Sequence, residues 1–298
     1  MHSISDLITY AANVLRESGV PEHRREAGAL LSHSLAVDRT FLITHADDRV
    51  SESDFESYGS LVQRRAAGEP LQYITGRQDF FGREFRVTPD VLIPRPETEL
   101  LVEAALTLLP TSEERVICDV GTGSGCIAIS ILCERPNARA IGIDISAAAI
   151  DVAKQNAETL EVSSRIEFVM SDCFANLDPS QQSFDLILSN PPYVSSAMLS
   201  GLQREVRDHE PLIALSPGED GLAVIRRILE QAPAFLPFGG HLLLEIGFDQ
   251  GETLQQMIEP AWRLVDILPD LQGIPRIAIL RKVQSLGRPT NLLPQRYC

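Results

Sequence analysis

The sequence has no Cys-x-x-Cys pair, no His-x-x-x-His pair, no Gly-Lys-Ser or Gly-Lys-Thr, no internal repeat, and no apolar run near the roughly 18 residues of a spanning helix. Each absence removes a class of function. Five cysteines (Cys118, Cys126, Cys133, Cys173, Cys298) are an odd number without zinc-ribbon spacing, so neither a disulfide framework nor a structural zinc is expected, and reduced thiols are. The six histidines are read as ordinary surface or helix residues. A P-loop is excluded. The N-terminus shows no basic segment followed by an apolar core, and the expectation is a soluble cytoplasmic protein without a membrane partner.

Positive charge is also in short supply. Lys and Arg number 26 against 41 Asp and Glu, a net charge of −15, which makes the molecule a poor partner for a phosphate backbone. No direct nucleic-acid substrate is expected. The one basic stretch is the last 28 residues, where Arg276, Arg281, Lys282, Arg288 and Arg296 occur without Asp or Glu, and it is read as a solvated terminal strand and tail.

What is present is an ordinary globular composition, 44% hydrophobic over 298 residues, enough for one large or two ordinary domains. Helical spacing governs the first 70 residues: Leu7, Ile8, Ala11, Val14 and Leu15 form one stripe, and Ala27, Leu30, Leu31 and Leu35 another. Pro21 and Glu22 are expected to open the second helix, and Ser51 to cap a third bearing Phe55, Tyr58, Leu61 and Val62. Over residues 71–96, aromatic and β-branched residues with turn punctuation (Tyr73, Ile74, Gly76, Phe80, Phe81, Gly82, Phe85, Val87) predict a β-hairpin connector.

Residues 97–298 form the third part. A helix over Glu97–Leu109 leads into apolar strands at Val116–Val120, Ala140–Ile145, Ile166–Met170, Phe184–Ser189 and His241–Ile246, alternating with helices. This alternation predicts an α/β fold, a Rossmann-like parallel sheet covered on both faces. Trp262–Leu268 and Ile274–Leu280 are expected to add an antiparallel pair at its edge.

Two motifs carry chemistry. Asp119-Val120-Gly121-Thr122-Gly123-Ser124-Gly125 follows the first of these strands and precedes an apolar helix. A glycine turn there lets a ligand approach the backbone and presents helix N–H groups to it. Asp144, 19 residues beyond Gly125 at the next strand end, has the acceptor capacity for two ribose hydroxyls. The dinucleotide fingerprint shares this logic, but its glycines are spaced Gly-x-Gly-x-x-Gly.

The second motif, Asn190-Pro191-Pro192-Tyr193, follows the strand ending at Ser189, so it belongs on the same crevice. It suits a planar amide or amino nitrogen. Such a nitrogen is a poor nucleophile that gains positive charge as it attacks a methyl group. The Asn190 side-chain oxygen and the Pro191 carbonyl would accept its N–H bonds and stabilise that charge. Pro191 and Pro192 hold the acceptors still, and Tyr193 offers an aromatic wall. Asp172, after the third strand, is a candidate acceptor for an adenine amino group with Cys173 and Phe174 beside the ring; a solvated capping Asp is the alternative. Glu245 ends a strand on the crevice side, in either a functional or a structural role.

Taken together, these features closely resemble the peptide chain release factor glutamine methyltransferases, the family long called HemK. The resemblance covers nearly the whole chain: the helical N-terminal part, Tyr73-Ile74-x-Gly76 and Phe80-x-Gly82, Ile93-Pro94-Arg95-Pro96-Glu97-Thr98-Glu99, the glycine loop, Asp144, Asn190–Tyr193, and Glu210-Pro211 with Ala214-Leu215. It implies S-adenosylmethionine as cofactor, held by Gly121–Gly125, Asp144, Cys173 and Asn190. It also implies methylation of the glutamine in the Gly-Gly-Gln loop of class 1 release factors, held by Asn190–Tyr193, with the helical domain as the docking element. Many relatives carry an aromatic residue where this chain has Cys173, and an aromatic residue is common at His209. Glutamine methylation of a ribosomal protein, amino-group methylation of nucleic acid and a non-catalytic binding protein are the competing readings. Against the nucleic-acid reading stand 12 acidic and 8 basic side chains in residues 1–80.

Overall fold

The computed structural model describes residues 2–258 and 260–284. The chain divides into two compact units: residues up to Pro94 together with Ala197–Leu215, and Arg95–Ser196 together with the chain from Ser216 onward.

The first unit opens with α1 (Ile4–Glu17), α2 (His23–Leu35), α3 (Arg39–Thr44) and α4 (Glu52–Ala66). Local chemistry sets these boundaries. Ser3 Oγ accepts from the Asp6 amide while the Asp6 carboxylate accepts from the Ser3 amide, each at 3.1 Å, a reciprocal cap worth about 1 kcal/mol. Asp38 caps α3 and Ser51 caps α4 in the same sense, at 2.7 and 3.2 Å. Glu22 stands at the N-cap of α2 but makes no side-chain cap, and the helix starts at His23 rather than at Pro21. Leu7, Ala11, Leu15, Ala27, Leu30, Leu31, Tyr58 and Val62 close the core between these helices, and the Tyr58 hydroxyl donates to the Ala27 carbonyl at 3.0 Å. Polar satisfaction of that hydroxyl lets the ring be buried.

The connector differs from its expected form. Tyr73 and Ile74 lie in a short helix, α5 (Leu71–Thr75), entered at Pro70 and closed by Gly76 at φ 73°. The amides of both residues donate to the Pro70 carbonyl, and one helical turn buries both side chains. The hairpin proper is β1 (Arg77–Phe80) paired antiparallel with β2 (Arg83–Arg86). Its two-residue turn places Phe81 and Gly82 at φ 49° and 70°, the sign pattern that matches strand twist.

The second unit starts with α6 (Glu99–Leu108), then β3 (Arg115–Val120), α7 (Cys126–Glu134), β4 (Ala138–Asp144), α8 (Ala147–Thr159), β5 (Ile166–Met170) and β6 (Leu186–Ser189). The chain then returns to the first unit through α9 (Arg204–His209) and α10 (Leu212–Leu215). There Glu205 ion-pairs at 2.9 Å with Arg65, which also pairs with buried Glu26 at 2.5 Å. Helical spacing alone does not reveal this return, and residues 197–215 were expected within the 97–298 part. The hairpin likewise groups with the helices rather than standing between domains.

The second unit resumes with α11 (Ala223–Gln231), β7 (His241–Glu245), α12 (Gly251–Met257), β8 (Trp262–Pro269) and β9 (Pro275–Lys282). The sheet order is β5-β4-β3-β6-β7-β9-β8. The first five strands are parallel, and β9 runs antiparallel to both β7 and β8, as the apolar segments predict. Strand β3 lies centrally between β4 and β6, so successive crossovers leave it in opposite directions and open a crevice at the carboxyl ends of β3 and β6. Ile117, Cys118, Ile187, Leu242, Leu243, Leu244 and Ala278 are fully buried, so the central strands are apolar on both faces, as a covered parallel sheet requires.

Candidate active site

Gly121, Gly123 and Gly125 have φ values of 74°, 54° and 80°, a left-handed backbone that other residues rarely adopt. Their surroundings divide them into two kinds. A Cβ on Gly125 would stand 2.7 Å from Ile129 Cδ1 and 3.3 Å from Ala153 Cβ, so Gly125 is required for packing α7 against α8. A Cβ on Gly121 would meet nothing within 4 Å, and one on Gly123 would meet only the Gly121 carbonyl at 4.0 Å. Open space above these two is where a ligand can approach the backbone.

The amide groups of the loop are less available than the motif suggests. Gly121 and Thr122 donate to the Ile143 carbonyl at 2.8 and 2.9 Å, and Gly125 donates to the Thr122 carbonyl at 2.8 Å. Gly123 donates to Asp144 Oδ2 at 2.9 Å, while Asp144 Oδ1 accepts from the Ser146 amide at 2.9 Å. Asp144 therefore fastens the glycine loop to the end of β4. Each of its oxygens keeps a further acceptor direction for a hydroxyl. Burial pushes its pKa up, and the amide bonds oppose that shift. The Ser124 carbonyl is held by buried Asn156 Nδ2 at 2.8 Å.

Asp119, fully buried at the end of β3, accepts from the Thr122 hydroxyl at 2.8 Å, and its Oδ1 has no hydrogen-bond partner among the described residues. Burial pushes it up to about 6, against the Thr122 and Ala128 donors. The motif included Asp119 without assigning it a task; a lone carboxylate ending an apolar strand was the available signal.

Asn190 stands one residue past β6. Ser189 Oγ donates to the Val120 carbonyl at 2.6 Å, which joins the ends of β3 and β6 and brings the glycine loop and Asn190 to neighbouring strand ends. Asn190 Nδ2 donates to buried Thr98 Oγ1 at 3.1 Å. The Tyr193 hydroxyl reaches Glu245 Oε1 at 3.5 Å, the outer limit of a hydrogen bond, and its pKa is raised by burial and by Glu245. The Tyr193 carbonyl accepts from Gln250 Nε2 at 3.1 Å; the same nitrogen donates to the Gly221 carbonyl at 3.2 Å, and Gln250 Oε1 accepts from the Gly247 amide at 2.9 Å.

Glu245, 1% exposed at the end of β7, lies under this segment. Burial pushes its carboxyl up to about 7; the Thr98 hydroxyl, Arg276 and Tyr193 oppose the shift and Glu97 adds to it. Thr98, Gln250 and Gly221 were not foreseen as site residues.

Asp172 and Cys173 sit differently from the crevice residues. The Asp172 carboxylate pairs at 2.8 Å with Arg227, both partly exposed. Cys173 is buried at φ 49° with its thiol pKa raised by burial, and Phe174 is turned into the core, stacked on Phe235 at 4.8 Å. The described part of the basic C-terminal stretch is engaged within the fold: Arg276 pairs with Asp270 at 3.1 Å, and Lys282 Nζ donates to the Pro233 and Leu236 carbonyls. Arg288, Arg296 and Cys298 lie outside the described residues. Among the described residues no cluster fit to hold a metal occurs, and no helix is long and apolar enough to cross a membrane. In the first unit, a groove of about 1300 Å³ is lined by Arg24, His33, Arg39 and Arg77 alongside Asp38 and Glu84, a mixture of both charges.

Comparison with known proteins identifies the family of the chain. The family described as PrmC N-terminal domain matches residues 6–76, and the methyltransferase small domain matches residues 97–205. The release factor glutamine methyltransferase of Cereibacter sphaeroides is 44% identical, over 93% of this chain and 98% of its own. That of Koribacter versatilis is 41% identical, over 91% and 95%. Among solved structures, the hMettl16 catalytic domain in complex with an RNA hairpin has a TM-score of 0.54 at 17% identity, covering 75% of this chain and 81% of that one. A T. thermophilus 16S rRNA methyltransferase in complex with AdoMet and guanosine has a TM-score of 0.50 at 20% identity, covering 70% and 50%. These last two show the fold alone.

Proposed function

The chain belongs to the release factor glutamine methyltransferases, and from that premise we infer that it transfers a methyl group from S-adenosylmethionine to the side-chain amide nitrogen of a release-factor glutamine. The finer reading is that this glutamine is the one in the Gly-Gly-Gln loop of class 1 release factors. The observation that carries the amide-transfer reading is Asn190, held by Thr98 at the end of β6 next to an open glycine loop.

The loop fits the cofactor. Side chains at Gly121 and Gly123 would fill the space that a ligand needs, and Asp144 keeps acceptor capacity for ribose hydroxyls. Gly121, Thr122, Gly123, Ser124, Gly125, Asp144, Asp172, Cys173 and Asn190 would hold S-adenosylmethionine, which supplies an electrophilic methyl group on a sulfonium. For Asp172 this requires its exposed carboxylate to accept from the adenine amino group while paired with Arg227.

The chain's own task is placement. Asn190 Oδ1 and the Pro191 carbonyl accept the two N–H bonds of the substrate amide and stabilise the positive charge that builds on its nitrogen. Pro191 and Pro192 restrict the backbone that carries both acceptors, and Gln250 restrains it further through the Tyr193 carbonyl. Tyr193 provides a flat wall. No strong base is required, because the amide proton becomes acidic only once the new bond has formed. Holding the nitrogen in line contributes within the roughly 7–11 kcal/mol available from positioning. Recognition of a whole release factor calls for more surface than one glutamine, and the helical first unit is the proposed docking element.

The test is transfer of labelled methyl to purified class 1 release factor, beside the same factor with its Gly-Gly-Gln glutamine replaced, a ribosomal protein and DNA. Label confined to the intact glutamine is expected. Label on the ribosomal protein or DNA instead overturns the partner.

A further inference from the structure

Methyl transfer to an amide, as inferred above, depends on where the backbone of Asn190–Tyr193 stands, because one of its two acceptors is the Pro191 carbonyl. The near end of this segment is fixed by the bond from Asn190 Nδ2 to Thr98 Oγ1. The far end lies just before the chain leaves for the first unit at Ala197, so it needs an anchor of its own.

Gln250 supplies one. The residue is 6% exposed and makes three hydrogen bonds with its side-chain amide: Nε2 donates to the Tyr193 carbonyl at 3.1 Å and to the Gly221 carbonyl at 3.2 Å, and Oε1 accepts from the Gly247 amide at 2.9 Å. Both N–H bonds are committed. Turning the amide over would set its oxygen against two carbonyls and its NH2 against an N–H, so the three partners fix its orientation. The backbone beneath it is held as well, since the Gln250 amide donates to the Gly247 carbonyl at 3.0 Å and its carbonyl accepts from the Leu254 amide at 2.8 Å.

The two carbonyls that Gln250 joins stand on either side of one excursion of the chain. Tyr193 precedes the departure of residues 197–215 and Gly221 follows their return, and the Ser196 amide donates to the Gly218 carbonyl at 3.1 Å between the same two stretches. Displacement at Tyr193 has little slack to absorb it on the way back to the acceptors. The rings of Pro191 and Pro192 fix φ at both positions, and a following proline also narrows the conformations of Asn190 and Pro191. A shift of the Tyr193 carbonyl therefore carries the Pro191 carbonyl with it. We propose that Gln250 is a positioning residue for methyl transfer: it ties the chain leaving the site to the chain returning to it, and thereby holds the Pro191 carbonyl against the substrate amide. This rests on the amide-methylation reading.

Single-turnover transfer from cofactor-loaded enzyme to intact release factor, beside steady-state kinetics, S-adenosylmethionine binding by calorimetry and thermal unfolding, tests this. Gln250→Glu keeps the shape and the acceptor for Gly247 but loses both donors, and it is expected to slow transfer by about 10- to 100-fold. The loss is expected in kcat, with KM for the release factor within about threefold and cofactor Kd within about twofold of wild type. Gln250→Met keeps a similar length without any donor and is expected to slow transfer by the same order. Transfer within about twofold of wild type in either folded variant, or cofactor affinity lost in proportion to rate, overturns the proposal while leaving the methylation reading intact. Should Gln250→Glu not fold, Gln250→Met decides; failure of both to fold assigns Gln250 to the fold and overturns the proposal as well. Absence of wild-type transfer to the release factor overturns the methylation reading, and this one with it.

Discussion

Gly221 lies so close to Tyr193 that a Cβ on it would stand 2.4 Å from the Tyr193 carbonyl oxygen, the same oxygen that accepts from Gln250. With φ at 71°, Gly221 also has a backbone that side chains rarely adopt. Gly221→Ala must therefore push the Asn190–Tyr193 segment out of place. Because misplacement by about 1 Å costs about 100-fold in rate, kcat is expected to fall by that order with cofactor binding little changed. Kinetics beside a cofactor titration checks this; wild-type turnover in the variant would show that the segment tolerates displacement.

The glycine loop gives a contrast between neighbours. Gly125→Ala drives a methyl group into Ile129 and Ala153 and is expected to lower stability by about 1–3 kcal/mol, seen as a lower melting temperature without cofactor. Gly123→Ala meets open space and is expected to weaken S-adenosylmethionine binding chiefly, beyond the strain of its φ. If both variants lose stability alike and bind the cofactor alike, the division of labour argued for these glycines is wrong.

Stability against pH follows from Glu245. Its carboxyl sits at about 7 in the folded chain against 4.5 as an ordinary side chain, so folding takes up a proton in that window. The associated stability is complete below 4.5 and is lost as pH rises to about 7. Glu245→Gln does not titrate. Above about pH 7 it is expected to exceed wild type by up to an order of 3 kcal/mol, with the gap closing on acidification. Denaturant unfolding at several pH values measures the gap; one that widens towards acid contradicts the sign.

Asp172 is expected to show a small effect of a defined kind. Its pair with Arg227 is partly exposed, so Asp172→Asn should change stability by less than about 1 kcal/mol. If the carboxylate also accepts from the adenine amino group, S-adenosylmethionine binding weakens by about 3- to 10-fold. Unchanged binding by calorimetry would remove Asp172 from the cofactor site.

The parts of this protein that sequence exposes are those whose cause is local. Apolar strands alternating with helices announce the parallel sheet, and the edge pair β8 and β9 shows in two apolar segments. Glycines and prolines mark both the cofactor loop and the Asn190–Tyr193 turn. The short helix α5 is harder to read, because Tyr73 and Ile74 suit a strand and the decision rests on Pro70 and Gly76 at its ends. What stayed hidden depends on distant partners: Thr98 meets Asn190 across 92 positions, Gln250 meets Tyr193 across 57, and Arg65 meets Glu26 across 39. Spacing does not encode such meetings. Glu245 was visible as a carboxylate at a strand end, but the hydroxyl beside it was not.

The return of residues 197–215 to the first unit means that the chain passes between units three times, at 94–95, 196–197 and 215–216. The helical part is thus not a detachable cassette. A gene cut after residue 70 or 94 would leave Glu205 behind without Arg65, the residue that it shares with buried Glu26. Inheritance must keep both pieces together, and a recombination event that exchanged only the first 94 residues would have to bring a matching α9 with it.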